Sequence, residues 1–370
     1  MDRRKFMEFS ALAGAGLVSS GLASRGWAVE MMLKDEQELD QLKYFERNEK
    51  GELWLRPGIA DDIIDFHSHL GLSFLGSAAV DLDREDPETK TYFPQHGNPV
   101  DLSTYSAVSF TKASAKIAQN ESVKQAYTKS GYSGTHTPKN LLKEMDHNRV
   151  TRSVILAIDY PLGLSHNSRV YMQAAKKYPR LLPFVSVHPY DALMERKVKS
   201  FRAQGALGMK IHPPMQFIRA NNKKCMELTK LCGKLGMPCL FHTGASDISP
   251  KFQNDYPRIE YFWEPVQKQP ETIFVLAHGG IHFYKELIEL AKKNQNVWIE
   301  LSGQPPAPIR EMLDAGLEDR MLFGSDWPYY TESLPLAKVL LATEDAPLVR
   351  GKILHDNAEK LLERAAVRGA

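Results

Sequence analysis

Eight short apolar runs recur along the chain, and each ends in a polar residue that is followed by a stretch of helical length. The runs are Asp62–His67, Ser153–Asp159, Leu182–His188, Leu207–His212, Pro238–His242, Ile273–His278, Val297–Ser302 and Met321–Asp326. The helix candidates between them include Pro138–His147 (after Thr137), Cys225–Leu235, Phe283–Lys293 and Ala307–Ala315. Strands that alternate with helices imply a parallel sheet, and eight such units close a barrel. The pattern therefore predicts an α/β fold, a (β/α)8 TIM barrel in one large domain.

One connection departs from this rhythm. Residues 71–135 separate the first run from the first barrel helix, whereas a βα loop usually has 2–6 residues. We interpret this aromatic-rich segment, which includes Tyr92, Tyr105 and Tyr132, as a long insertion after strand 1 of a barrel domain at 62–370, with 29–61 as an N-terminal extension. Because barrel enzymes work at the carboxyl ends of their strands, we expect a lid-like insertion; a helical subdomain that only covers the barrel mouth is the alternative.

The first 28 residues do not follow the barrel pattern. Arg3 and Arg4 precede an apolar stretch from Phe9 to Ala23 that is rich in alanine, glycine and serine. This arrangement resembles a twin-arginine export signal, and the stretch is short for a membrane span. We therefore assign residues 1–28 to a signal, with the twin-arginine export machinery as a partner and a periplasmic or exported location. A basic amphipathic helix is the alternative.

Composition and motifs exclude several functional classes. The 47 Lys and Arg residues face 45 Asp and Glu residues, so a net charge of +2 gives no bulk attraction to nucleic acid. Cys225, Cys232 and Cys239 are odd in number and form no C-x-x-C pair, which argues against a disulfide framework or a thiolate zinc site. The chain also contains no nucleophile elbow, phosphate-binding loop or dinucleotide fingerprint.

Histidines mark the carboxyl ends of the predicted strands. Six of the 12 histidines lie there: His67, His69, His188, His212, His242 and His278. His67 and His69 are two residues apart, so on a strand both rings point to the same face. A lone histidine at a strand end is usually a packed residue. A same-face pair with His242, His278 and Asp326 on the same rim is instead typical of a metal site.

Five motifs in barrel order identify a family. They are Asp65-Phe66-His67-Ser68-His69, Lys210-Ile211-His212-Pro213, His242-Thr243-Gly244, His278-Gly279-Gly280 and Gly324-Ser325-Asp326-Trp327-Pro328. Together with the closing segment Gly351–Leu362, they resemble the amidohydrolase superfamily, and within it the amidohydrolase-related branch. That branch includes aminocarboxymuconate-semialdehyde decarboxylase, related aromatic-acid decarboxylases and pyrone-dicarboxylate lactonase.

The resemblance implies a metal-dependent site. It assigns His67, His69, His242 and Asp326 to one divalent metal ion. Imidazole and carboxylate ligands suit Zn²⁺, with Mn²⁺, Fe²⁺ or Co²⁺ as alternatives. His278 matches a histidine that acts beside the metal by hydrogen bonding or proton transfer. Asp326 and His278 are therefore the expected catalytic residues.

Other polar residues on this rim have different expected roles. Lys210 and His212 are two residues apart on the fourth predicted strand, so both should face inward and contact the substrate. The resemblance implies a substrate-orienting Lys210; a carboxylated lysine that bridges two metal ions and a solvated structural lysine are the alternatives. His188 is expected to end the third strand. Arg169 and Arg219 are further candidates for holding an anion.

The expected activity follows from the metal. A divalent ion lowers the pKa of the water that it binds from 15.7 toward about 7, which makes hydroxide available near neutral pH. We therefore expect a metal-dependent hydrolase of a small-molecule lactone, amide or ester, which also suits an exported protein. The same ligands could serve a non-hydrolytic decarboxylase of an aromatic or unsaturated carboxylic acid. A non-catalytic metal- or ligand-binding barrel is the second alternative, and the resemblance allows a homodimer.

Overall fold

The structure is a computed structural model. It describes residues 32–73, 80–93, 97–109, 111–124, 128, 131–160, 166–245 and 250–367. The expected twin-arginine signal at 1–28 lies outside the described residues, as do parts of the insertion. Within the described ranges, the helices are all too short or too polar to cross a bilayer.

Eight parallel strands confirm the predicted barrel. They are β1 (Ile63–Ser68), β2 (Val150–Leu156), β3 (Leu181–Val185), β4 (Gly208–Ile211), β5 (Cys239–Phe241), β6 (Phe274–Leu276), β7 (Val297–Glu300) and β8 (Met321–Leu322). Each strand pairs with the next one along the chain. The backbone N–H of Phe66 donates to the carbonyl of Phe323 at 2.9 Å, and Ser68 forms a parallel bridge with Trp327. These contacts bring the first and last strands together, so the sheet is a nearly closed TIM barrel.

Helices follow the strands in regular alternation. They are α1 (Pro138–His147), α2 (Asn167–Lys177), α3 (Met194–Ala203), α4 (Lys223–Lys234), α5 (Trp263–Lys268), α6 (Tyr284–Lys293), α7 (Pro306–Asp314), α8 (Ser333–Ala342) and α9 (Asn357–Val367). Shorter helices span Pro213–Gln216 and Pro347–Gly351. The four predicted helices are confirmed to within two residues at each end. The start of α1 shows why: Thr137 accepts the N–H of Asn140, and Pro138 occupies the first turn, where its missing N–H is not needed.

Several strands end earlier than the sequence pattern predicts. β6 ends at Leu276 rather than His278, and β8 ends at Leu322 rather than Asp326. His278 and Asp326 both have positive φ angles, 59° and 58°, which no strand residue can adopt. In seven of the eight runs the final polar residue therefore belongs to the loop after the strand, where barrel enzymes place their functional groups, whereas His67 lies within β1.

The insertion is bonded to the carboxyl end of the barrel. It contains a helix at Lys112–Lys124 and a short strand, Val100–Asp101, which pairs with Met32–Leu33 of the N-terminal segment. The N–H groups of Tyr92 and Phe93 donate to backbone carbonyls of the loop between β8 and α8, at 3.1 and 2.8 Å. The N–H of Ser106 donates at 3.0 Å to a carbonyl of the loop after β7. The described part of the insertion is thus held by two barrel loops and by the chain's N-terminal segment.

Candidate metal centre and active site

Three predicted ligands meet at the seam between β1 and the loop after β8. Nε2 of His67 lies 3.2 Å from Nε2 of His69 and 3.4 Å from Oδ1 of Asp326, while Nε2 of His69 lies 3.5 Å from the same oxygen. All three side chains are buried. The three atoms therefore face one another, as ligands of a single cation do.

The hydrogen bonds of the Nδ1 atoms of His67 and His69 indicate that the Nε2 atoms of the two rings can bind a metal. Nδ1 of His67 donates to Oε2 of Glu300 at 2.6 Å, and Nδ1 of His69 donates to the carbonyl of Leu156 at 2.7 Å. A neutral imidazole that donates from Nδ1 carries a lone pair on Nε2. Two lone pairs and a carboxylate oxygen thus converge, which is the donor set of a divalent transition-metal site with its usual supporting hydrogen bonds.

The backbone at this seam fixes the three predicted ligands. The pairing of β1 with β2 is irregular between Asp65 and Ser68, which includes His67. The N–H of Asp326 donates to the carbonyl of His67 at 2.7 Å, and the N–H of His69 donates to the carbonyl of Trp327 at 2.6 Å. These bonds hold Asp326 in the left-handed region, which is uncommon for a residue with a side chain.

Glu300, at the end of β7, is a site residue that the sequence reasoning missed. Its carboxylate also accepts hydrogen bonds from the backbone N–H of His278 at 3.2 Å and from the hydroxyl of Ser302 at 2.9 Å. The side chain is fully buried, and burial raises the pKa of Glu300 to about 8. The available signal was a charged residue inside the apolar run Val297–Ser302.

His242 and His278 form a second imidazole pair beside this group. Nε2 of His278 lies 2.9 Å from Nδ1 of His242, and the ring centroids of His278 and His67 are 4.9 Å apart. The ring of His212 stacks on that of His242 at 4.3 Å. Two groups of described residues have possible ligand atoms that all lie within 4.8 Å of one another. One group is His67, His69 and Asp326, and the other is His67, His278 and Glu300. His242 thus reaches the site through His278, and its role as a metal ligand stays a prediction.

Lys210 is the cation inside the site. Its Nζ lies 3.2 Å from Nε2 of His67, and the side chain is fully buried. Burial lowers the pKa of Lys210 to about 8, while the charges of Asp326 and Glu300 act in the opposite direction. Burial raises the pKa of Asp326 to about 7, against the opposing charge of Lys210.

The other candidate cations lie elsewhere. Arg219 pairs with Asp255 and is half exposed. Arg169 lines a cavity of about 1160 Å³ between α2 and α3, on the outside of the barrel. His188, which the sequence predicts to end the third strand, lies three residues after the end of β3, and its Nε2 donates to the carbonyl of Gln216 at 3.0 Å. Of the cations proposed from the sequence, the structure brings only Lys210 to the ligand group.

Two tyrosines also border the site. The ring of Tyr329, from the loop after β8, lies 6.3 Å from that of His69. Tyr105, from the insertion, is buried, and its ring packs on Gly303, the residue after Ser302. Burial raises the pKa of its phenol, and Tyr330, Asp326 and Glu300 raise it further. The sequence offered no means of choosing these two from the other aromatic residues.

A TIM barrel whose strand ends gather imidazoles, carboxylates and a buried lysine belongs to the class of metal-dependent barrel enzymes. The family model described as Amidohydrolase matches residues 64–364. The chain therefore belongs to the amidohydrolase family. No curated protein sequence matches it.

Solved structures share the fold at low sequence identity. An uncharacterised TIM-barrel protein from Bordetella bronchiseptica has a TM-score of 0.59 and 18% identity, over 82% of this chain and 99% of that one. A 2,6-dihydroxybenzoate decarboxylase from Rhizobium has a TM-score of 0.54 and 14% identity, over 82% of this chain and 99% of that one. The 5-carboxyvanillate decarboxylase from Novosphingobium aromaticivorans was solved in complex with manganese and 4-hydroxy-3-methoxy-5-nitrobenzoic acid. It has a TM-score of 0.53 and 14% identity, over 84% of this chain and 98% of that one. These likenesses establish the barrel architecture.

Proposed function

We propose that this protein is a metal-dependent hydrolase that acts on a small-molecule lactone, amide or ester. The observation that carries the proposal is the convergence of Nε2 of His67, Nε2 of His69 and Oδ1 of Asp326 beside a buried lysine. A divalent ion held there, for which we propose Zn²⁺, supplies a Lewis acid for the substrate carbonyl and an activated water.

The protein's own groups then divide the remaining work. Asp326 is the carboxylate at the open side of the ligand group, with a small exposed fraction, so it can take a proton from water. Asp326 then returns this proton to the leaving group, directly or through His278, whose Nδ1 lies 4.0 Å from Oδ2 of Asp326 and 2.8 Å from the hydroxyl of Ser302. Lys210 donates toward the oxygen on which negative charge develops.

The proposed export favours the hydrolase, because decarboxylases of aromatic catabolic intermediates are expected in the cytoplasm. A decarboxylase is the second candidate, because a divalent ion beside the buried Lys210 would hold a substrate carboxylate as well as a substrate carbonyl.

Elemental analysis and a substrate panel test this proposal. The purified protein should contain close to one equivalent of divalent metal and should release acid from neutral lactones, esters or amides without carbon dioxide. His67→Ala should lose metal and activity together, whereas the control His355→Ala, at a partly exposed histidine outside the site, should keep both. Carbon dioxide from aromatic carboxylic acids would identify a decarboxylase instead. No metal and no turnover after reconstitution would leave a binding barrel.

We further propose that the protein is exported by the twin-arginine route to the periplasm or beyond, on the basis of Arg3, Arg4 and the apolar stretch that follows. This route carries folded proteins, which suits a chain that must take up its metal before export. Association as a homodimer is proposed from the resemblance to the amidohydrolase-related branch.

A further inference from the structure

Lys338 is a buried lysine that does not belong to the ligand group. It lies on α8, all of whose residues are buried, and its own exposure is zero. Its Nζ donates to the carbonyl of Thr104 at 2.8 Å, to the hydroxyl of Ser106 at 2.7 Å and to the carbonyl of Gly303 at 3.2 Å. In its protonated form this group has three N–H donors, and the three oxygens accept all of them.

The three acceptors identify what this lysine joins. Thr104 and Ser106 belong to the insertion, and Gly303 belongs to the loop after β7. The N–H of Ser106 adds a backbone hydrogen bond to the carbonyl of Gly303 at 3.0 Å. An apolar side chain would pack in α8 without the cost of burying a charge. The lysine therefore serves to fix residues 104–106 of the insertion against the barrel.

Tyr105 is the residue between these two anchored positions. Its ring packs so closely on Gly303 that a Cβ at that glycine would lie 2.8 Å from the ring, and Gly303 has a φ of 78°. Tyr105, Ala107 and Ile281 form a small buried cluster beside the site. The ring of His282, in the loop after β6, lies 6.2 Å away. Tyr105 is thus confined between the loops after β6 and β7.

The hydroxyl end of Tyr105 lies over Gly303, since a Cβ at that glycine would lie 3.1 Å from the phenol oxygen. Gly303 directly follows Ser302, whose hydroxyl lies 2.8 Å from Nδ1 of His278 and 2.9 Å from Oε2 of Glu300. The phenol also forms a hydrogen bond with Tyr330, in the loop after β8. Three loops of the barrel and the insertion therefore share one wall of the site, and this phenol is the part of the wall that the insertion supplies.

We propose that Tyr105 is a substrate-contacting residue of this active site and that Lys338 is the positioning residue that holds it there. The proposal rests on the proposed function only in taking the same site as the place of reaction. It makes the described part of the insertion a fixed wall rather than a lid that opens. The phenol oxygen, which already shares a hydrogen bond with Tyr330, forms a further hydrogen bond with a polar atom of the substrate.

Two variants and two controls test the proposal. Tyr105→Phe keeps the ring and should lower kcat/KM about tenfold, the worth of one hydrogen bond. Lys338→Met keeps the length of the side chain and should cause a similar loss, and the double variant should be little worse than either. Tyr284→Phe and Lys352→Met remove the same groups on the outer surface, from contacts with Glu311 and Asp319, and should match the wild type.

Amide hydrogen exchange separates positioning from general stability. Lys338→Met should exchange faster at residues 104–106 while its metal content and far-ultraviolet circular dichroism match the wild type. Tyr105→Phe should leave that exchange unchanged. If Lys338→Met does not fold, Ser106→Ala removes one of the three acceptors and should show a smaller increase in exchange with the same direction of change in kcat/KM.

The outcomes distinguish this inference from the proposed function. The comparison of kcat/KM between the wild type and the variants can use any substrate that the protein turns over. A finding that the protein is a decarboxylase would therefore overturn only the hydrolase assignment. If no substrate of the panel is turned over by the wild type, the dissociation constant of benzohydroxamate for the metal-loaded protein is measured instead of kcat/KM. Tyr105→Phe should then raise this dissociation constant severalfold. Wild-type kinetics or binding in Tyr105→Phe, or unchanged exchange in Lys338→Met, would overturn the inference.

Discussion

Replacing Glu300 with glutamine should weaken metal binding while the barrel stays folded. The carboxylate accepts from Nδ1 of His67 at 2.6 Å, from the N–H of His278 at 3.2 Å and from the hydroxyl and N–H of Ser302. Both carboxylate oxygens are therefore acceptors. The amide of glutamine has one oxygen and one NH₂ group, and the NH₂ group cannot accept a hydrogen bond. At least one of these donors would therefore lose its acceptor in Glu300→Gln.

The magnitude follows from the loss of this support. If Glu300→Gln no longer accepts from Nδ1 of His67, the ring loses both its fixed tautomer and part of its basicity. Changes of this kind cost roughly 10–100-fold in metal affinity, which corresponds to about 1.4–2.7 kcal/mol. Shape and volume are nearly preserved, so the free energy of unfolding of the metal-free protein should change less than the metal affinity.

Competition with a chromophoric chelator measures the effect. The dissociation constant for Zn²⁺ should rise roughly 10–100-fold in Glu300→Gln, with thermal unfolding of the metal-free protein followed in parallel. Glu311→Gln is the matched control, because Glu311 accepts a hydrogen bond from Tyr284 on the outer surface. An unchanged dissociation constant in Glu300→Gln would show that the carboxylate does not support a ligand.

Three further changes test other parts of the structure. His278→Ala should keep its metal yet turn over far more slowly, and full activity would refute a role beside the metal. Burial lowers the pKa of Lys338 to about 7, so from pH 7 to about 10.4 the unfolded chain binds more protons and stability should rise with pH, by up to about 1.4 kcal/mol per unit. Denaturant unfolding at pH 7.5 and 9.5 should show this slope reduced in Lys338→Met. Changing Arg3 and Arg4 to lysine should retain the protein in the cytoplasm, as fractionation would show.

The regular recurrence of apolar runs, together with the polar residue at the end of each run, predicted most of this fold. The eight runs were found because parallel barrel strands are continuously apolar, and α1 was placed from Thr137 and Pro138 because a cap and a first-turn proline are local signals. Strand ends were less predictable. His278 and Asp326 extend the apolar runs in sequence, whereas their left-handed backbone is held by hydrogen bonds to residues that are distant in sequence. The N–H of Asp326 donates to the carbonyl of His67, and the N–H of His278 donates to the carboxylate of Glu300.

The site was predicted where spacing carries information. His67 and His69 lie two residues apart, and on a strand that spacing alone places both rings on one face. Glu300 has no such partner in sequence, since it meets His67 only because β7 and β1 are brought together by barrel closure. Tyr105 was one aromatic residue among many, and its position depends on Lys338, more than two hundred residues later in the chain.

The seam between β1 and β8 also sets when the site can exist during synthesis. His67 and His69 leave the ribosome early, but their carboxylate partner, Asp326, is among the last barrel residues to be made. A nascent or truncated chain that ends before β8 therefore presents two histidines without the carboxylate that we propose as the third ligand and without a closed barrel. A tightly bound metal would thus report a full-length, folded polypeptide, which makes metal content a check on the integrity of each purified sample.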